Sequence, residues 1–424
     1  MTIRLAAVFS HPIQYFAPLF RALAADPALE LKVFFRSLRG AEGYHDPGFD
    51  RSVAWDVPVL EGYDHELLAP GASAAGRLFG PDHPQVATRL AAFDPDAVWV
   101  HGYASLASLR AILWGRGRGV VFTGDSELLQ PRSTARRALK RGLLPYLFRR
   151  VSVFVDYGER NRDYYRHYGV PDAKMVHGGY PLDVVRFAAG RDAMDDGQRQ
   201  ARREELGLTR FAPGDEDRRA QREALGLPPF PGAMTVVWAG KLVAMKRPLD
   251  LVEAIAMLAG RGVEVQALVI GSGPLEEQLR ERIAASAGGG RAALAGRVAL
   301  AGFVNQAAMP GMLALGDVVA MTSEREPYGL VIPEAMAAGC AVVASDRVGC
   351  VSASGVARPG VNTLVYPCGV VPALAAALGA MARDPDGLAA MQRASRELAW
   401  QQDVSRIAVA MREAALRAAR RRRR

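Results

Sequence analysis

The sequence predicts an α/β protein of two doubly wound parallel-sheet domains facing each other across a cleft. Three observations lead there. Short apolar runs alternate with helical patterns over residues 1–187, and the alternation restarts over 233–400. The segment between them, 188–232, is charged and nearly free of β-branched residues. The chain's 424 residues, 50% hydrophobic and 23% charged, suffice for two or three domains with ample apolar mass. Strand-helix alternation of this kind implies βαβ units and hence parallel sheets.

In the first block, 5–9, 31–35, 97–101, 119–123 and 151–156 read as strands and 15–25 as a helix, while 40–80, rich in Gly, Pro and Asp, reads as a long loop region over one rim. In the connector, 196–208 matches 215–227 at 8 of 13 positions, and each copy reads as a short charged helix closed by a glycine. Such a repeat reads first as a duplication that lengthens a connector. In the second block, 234–239, 263–270, 298–301, 318–322 and 341–345 read as strands. Helices are expected over 247–261 and 274–287 and from Pro333, with a helical tail from Asp384 and a separate helix and Arg-rich end over 401–424.

The formal net charge is +9, and the run from Arg420 to Arg424 supplies five of those charges. That tail carries no aromatic side chain on which bases could stack, which argues against a nucleic-acid-binding role. Three cysteines, Cys340, Cys350 and Cys368, are too few for a disulfide framework and lack metal-ligand spacing, so a reducing cytosol is expected. The apolar stretch at the N-terminus is five residues long and runs into His11-Pro12, so it reads as a first strand rather than a signal peptide, and no stretch is long enough to span a bilayer. Only five of the 53 cations are lysines, and two of these, Lys241 and Lys246, share one loop.

Ligands of open parallel sheets bind beyond the carboxyl ends of strands, so the chemistry is sought in loops that follow strands. Glu326 and Glu334 are eight positions apart, the first in a loop after a strand, the second in the first turn of a helix that Pro333 is suited to open. A carboxylate there suits vicinal diols, and the amides of Gly329, Leu330 and Val331 between them suit an anion. Two carboxylates around an amide nest fit a ligand with two polyol ends and a charged middle, as in a sugar nucleotide. Lys241 and Lys246, after Gly240, offer compact ammonium groups for a diphosphate. Gly271-Ser272-Gly273-Pro274 permits a tight turn into a helix, but it lacks the third glycine of a dinucleotide fingerprint. The Asp-x-Asp matches at Asp94, Asp215 and Asp384 follow no strand on the cleft side, and no metal site is expected.

Glu326 with Glu334 eight residues on, Gly240-Lys241 with Lys246, Gly271 to Pro274, Gly302-Phe303-Val304 and Pro333 to Gly339 occur in order at familiar spacings. Over 234–385 the chain thereby resembles the donor-binding domain of glycosyltransferase family 4, retaining enzymes of the GT-B fold, which has two Rossmann-like domains. The resemblance implies that Glu326 binds donor-sugar hydroxyls, Glu334 the nucleotide ribose, Lys241 and Lys246 the diphosphate, and Phe303 and Val304 the base. Lys241 stands where the family more often has Arg, so the charge is kept and the bidentate fork is lost.

The first half resembles the family more loosely. Its first loop, Ser10-His11-Pro12-Ile13-Gln14-Tyr15, has no glycine where members often carry several. His11 and Gln14 are cleft candidates, as is His101 after another strand. Asp125, after Thr123-Gly124, occupies a place where several members have a histidine, and so is a candidate for orienting the acceptor hydroxyl.

The implied reaction is glycosyl transfer from a nucleoside diphosphate sugar to a hydroxyl with retention, in cell-envelope polysaccharide, glycolipid or secondary-metabolite glycosylation, with no metal or other cofactor. The alternative is another sugar-nucleotide enzyme on this fold, an epimerase or a phosphorylase. The stretch from Arg132 to Arg150 interleaves seven cations with Leu139, Leu143, Leu144, Leu147 and Phe148. With the arginine tail it is a candidate for docking on anionic lipid at the cytoplasmic face of a membrane.

Overall fold

A computed structural model of the chain describes residues 2–68, 85–129, 133–208, 233–285, 294 and 296–420. The chain forms two compact units. One comprises Met1–His45, Ser52–Asp183 and Gln401–Arg424, the other Asp46–Arg51 and Val184–Trp400.

The first unit is built on strands β1 (Ile3–Phe9) and β2 (Leu29–Phe35); a short separate pair follows in the chain, β3 (Tyr44–Asp46) and β4 (Arg51–Val53), of which Asp46 and Arg51 are counted with the second unit. After these come β5 (Asp64–Leu67), β6 (Ala97–His101), β7 (Val120–Thr123), β8 (Val153–Asp156) and β9 (Met175–His177). Seven of them form a parallel sheet in the order β5-β2-β1-β6-β7-β8-β9. Strands β6, β7 and β8 are near-continuous apolar runs because helices cover both faces. One face packs Phe9 edge-on against Phe16, Phe20 and Trp99. The edge strand β5, Asp-His-Glu-Leu, has a half-exposed face and no apolar run to announce it.

The chain's last helix, Val404–Ala419, packs within this unit against the helix Phe16–Ala24 and the sheet. Gly119 makes that approach possible: a Cβ there, at φ +122°, would lie 2.4 Å from the Ala418 carbonyl oxygen.

The second unit's strands are β10 (Met234–Ala239), β11 (Val265–Ile270), β12 (Val298–Gly302), β13 (Val318–Met321), β14 (Ala341–Ser345) and β15 (Thr363–Tyr366). They form a parallel sheet in the order β12-β11-β10-β13-β14-β15. Val236, Trp238, Ile255, Val269, Val318, Val343 and Leu378 are among its buried core. The first repeat copy forms the helix Asp196–Glu205, capped by the Asp195 side chain and followed by Gly207 at φ +86°. Its Arg203 holds the Leu315 carbonyl and Asp317, so the helix is fastened to this unit. The second copy lies outside the described residues.

Each sheet reverses its strand order beside its first strand, between β1 and β6 in one unit and between β10 and β13 in the other. Such a reversal opens a crevice beyond the carboxyl ends of the strands, because the helices on either side run to opposite faces. The loops after those four strands are therefore where ligands are expected.

Candidate functional site

In the second unit, the loops leaving β10, β11 and β12 are tied by main-chain hydrogen bonds. Gly240 N–H donates to the Ile270 carbonyl (2.9 Å), Leu242 N–H to Ser272 (2.9 Å) and Gly271 N–H to Gly302 (2.7 Å). Glycine is required at the centre. Gly271 has φ +142°, and a Cβ on it would stand 1.8 Å from the Gly240 carbonyl oxygen. Gly273, at φ +148°, lies against the carbonyl oxygens of Gly48 and Leu242. We expect Gly271→Ala to destabilise the protein by about 3 kcal/mol or more, since backbone rather than a flexible side chain must move. Denaturant unfolding checks this; a loss within about 0.5 kcal/mol, ordinary for a surface site, would contradict the packing described.

The loops after β10 and β13 meet at an ion pair between Lys246 Nζ and Glu326 Oε2. The supports are local. Trp238 Nε1 donates to Thr322 Oγ1 (2.9 Å), which donates to the Lys246 carbonyl (2.7 Å), and Glu324 N–H reaches the Met245 carbonyl (2.9 Å). Ser323 Oγ donates to Glu326 Oε2 (3.4 Å), and the Glu326 carbonyl accepts from Gly349 N–H (2.9 Å). The Glu326 side chain is 11% exposed and that of Lys246 23%. A largely buried carboxylate is thus held by one ammonium and one hydroxyl, beside the reversal of strand order.

Gly329, at φ +96°, turns the chain toward the helix Val331–Ala337, which begins two residues before Pro333. Pro333 therefore lies inside the first turn rather than opening it. Glu334 is in that first turn and is buried, and Leu330 is the residue before the helix. Phe303 and Val304 are half-buried beyond β12.

Sequence reasoning missed the segment Asp46–Arg51, which belongs to this unit. The buried Asp46 carboxylate accepts both Lys241 contacts at 2.9 Å. Ser272 Oγ donates to the Phe49 carbonyl (2.9 Å). The Phe49 ring meets Phe303 edge-on at 5.1 Å, with the Arg51 guanidinium 4.5 Å above the Phe303 ring. Each of the two loop lysines thus has its own carboxylate.

The first unit gathers a second cluster at its own reversal, where β1, β6 and β7 end. Thr123 Oγ1 accepts from Trp99 Nε1 (2.9 Å) and is 3.0 Å from His101 Nδ1, which is also 3.2 Å from the Tyr157 hydroxyl. The His101 Nε2 faces Asp125 Oδ2 at 3.7 Å. The His101 ring stacks on Phe9 at 5.0 Å. His11 Nδ1 is 2.8 Å from Ser10 Oγ, and burial, then the charges of Arg39, His101 and Arg36, push its pKa down to about 4, so it is neutral at pH 7. Gln14 is half-buried in the turn before the helix Phe16–Ala24, which starts four residues after Pro12. His11, His101 and Asp125 thus share one sheet edge, while Thr123, Tyr157 and Arg36 beside them carried no sequence signal.

Residues 233–384 match the family model described as Glycosyl transferases group 1. Among curated proteins, the α-D-kanosaminyltransferase of Streptomyces kanamyceticus is 31% identical over 238 residues, covering 56% of this chain and 53% of that one. The D-inositol 3-phosphate glycosyltransferase of Jonesia denitrificans is 29% identical over 189 residues, 43% of this chain and 38% of that one. The chain thus spans about half or less of the length of these relatives. Among solved structures, Anabaena Alr3699/HepE in complex with UDP superposes with a TM-score of 0.64 at 19% identity, covering 97% of this chain and 99% of that one. The sucrose-phosphate synthase of Thermosynechococcus elongatus does so with a TM-score of 0.61 at 17% identity, covering 96% and 97%. At such identities the likeness is one of fold, the two Rossmann-like domains expected as GT-B.

Proposed function

We propose that this chain is a nucleotide-sugar-dependent glycosyltransferase that transfers a sugar to an acceptor hydroxyl with retention of anomeric configuration. The observation that carries the reading is the Lys246–Glu326 pair on glycine-bound loops at the second sheet's reversal, inside the segment that matches the group 1 domain. UDP in the Anabaena structure, and UDP-glucose in another structure of that protein, support a nucleoside diphosphate sugar as the donor class. The name of one curated relative, for an inositol phosphate, supports a polyhydroxylated acceptor, and that of the other, a kanosaminyltransferase, supports a sugar as the group transferred.

On this reading Lys241 and Lys246 exchange their carboxylates for the donor's diphosphate. Glu326, released from Lys246, accepts hydrogen bonds from two sugar hydroxyls and fixes the ring. Glu334 holds the ribose, Phe303 and Val304 border the base, and the amides of Gly329, Leu330 and Val331 face the phosphates. The bond from the anomeric carbon to the phosphate oxygen breaks and positive charge develops on the sugar. The acceptor oxygen bonds to the same face and its proton passes to the departing phosphate. The two ammonium groups stabilise the charge on that leaving group, so the reading needs no metal. Asp125, beside His101, orients the acceptor hydroxyl.

The test is turnover of a panel of nucleoside diphosphate sugars, followed by mass spectrometry with and without polyol and sugar acceptors. Acceptor-dependent release of nucleoside diphosphate, unchanged by a chelator, is expected. Turnover that needs no acceptor and gives an isomerised donor would replace this reading with an epimerase.

We also place the protein at an anionic membrane surface on the cytoplasmic side. Among the described residues no helix is long and apolar enough to cross a membrane. The helix Thr134–Phe148 instead exposes Leu139 (68%), Leu143 (51%) and Tyr146 (58%) along one stripe, with Arg136, Arg137, Arg141 and Arg149 exposed as well. Arg132 and the last four arginines lie outside the described residues. Leu139→Glu/Leu143→Glu should abolish cosedimentation with phosphatidylglycerol vesicles; equal binding by the variant would remove this face from the account.

A further inference from the structure

One basic side chain in the first unit has, among the described residues, no partner that explains its burial. Arg36 follows β2 directly and is 7% exposed. Its Nε is sealed from solvent and has no hydrogen-bond partner among the described residues. Burial lowers its pKa, and among the described residues no carboxylate acts to raise it. A buried guanidinium left in this state is costly, and its planar fork matches the oxygens of a phosphate or carboxylate.

Its surroundings are built rather than incidental. Arg36 N–H donates to the Phe9 carbonyl (3.2 Å) and Ser37 N–H to the Ser10 carbonyl (3.1 Å), so the exits of β1 and β2 are tied together. That places Arg36 beside Ser10 and His11, at the edge of the sheet where ligands of such folds bind. His11 lies within electrostatic reach of Arg36, Arg39 and His101. Arg39 sits over the Tyr44 ring at 4.0 Å. With Nδ1 of His11 engaged by Ser10, its Nε2 remains the ring atom for another partner.

We propose that Arg36, assisted by Arg39 and His11, forms a receptor for a substrate oxyanion of the phosphate or carboxylate type. The inference rests on the glycosyl-transfer reading only in naming the two ligands that can bring such a group, the acceptor and the donor diphosphate.

The experiment uses the full chain with inorganic phosphate as the probe, titrated by calorimetry with and without saturating UDP or GDP. Wild-type protein is expected to bind phosphate, and Arg36→Gln to bind it about ten-fold or more weakly, as for the loss of a charge-assisted bidentate contact. Phosphate binding that persists beside the nucleotide assigns the site to the acceptor's anionic group. Displacement by the nucleotide assigns it to the donor's diphosphate. Equal phosphate binding by wild type and a folded Arg36→Gln protein overturns the proposal, as does no binding by wild type at millimolar phosphate. Should that variant fail to fold, the wild-type His11 imidazole serves by NMR: phosphate must raise its pKa from about 4, and an unmoved titration overturns the proposal equally. Nucleotide binding is read in the same samples, so its survival without phosphate binding sinks this inference and leaves the function standing.

Discussion

Glu326→Gln is expected to lower transfer about a thousand-fold while the fold and nucleotide affinity stay close to wild type. The magnitude follows from two charge-assisted hydrogen bonds to donor hydroxyls at roughly 2 kcal/mol each, together about 4 kcal/mol of transition-state binding. Glutamine keeps the shape and one acceptor oxygen, so the main-chain contact of residue 326 with Gly349 survives. The effect should fall on kcat, because those bonds tighten as charge develops on the sugar. Steady-state kinetics of the variant beside its thermal unfolding decide the matter. Activity within a few-fold of wild type would remove Glu326 from the site.

Lys246→Ala is expected to cost about 100- to 1,000-fold in kcat, the scale set by removing one donor that faces developing negative charge. It should also lower stability by about 3 kcal/mol, since the Glu326 carboxylate, with its side chain 11% exposed, loses its cation. The two losses can be separated. Lys246→Ala combined with Glu326→Gln removes both charges, so it should be more stable than Lys246→Ala and yet as inactive. If the double variant's stability is the plain sum of the single losses, the pair described here is not coupled.

Much of the fold is legible in the sequence because parallel strands covered on both faces are near-continuous apolar runs, as β6, β7, β10 and β11 are apart from single polar residues. Strand β5 escapes because an edge strand needs no apolar run, and β9 because it is three residues long. The packing of the last helix within the first unit depends on a glycine some 300 positions earlier, a relation no local pattern carries. The same limit governs the site. Glu326, Lys246 and Lys241 stand out by residue type and spacing, since a chain so rich in arginine keeps five lysines. Asp46, the carboxylate that Lys241 meets, is 195 positions away in a stretch that reads as plain loop. Arg36 is hidden for another reason: one arginine among 48 signals nothing until its burial is known.

The most direct test of the account is calorimetric titration of UDP, GDP and ADP into the wild-type chain and into Lys241→Ala/Lys246→Ala. At least one of the three is expected to bind the wild type, and the double variant to bind it at least about 100-fold more weakly, as when two charge-assisted contacts are lost. Equal affinity in the two proteins would contradict it, and so would the binding of none of the three by the wild type.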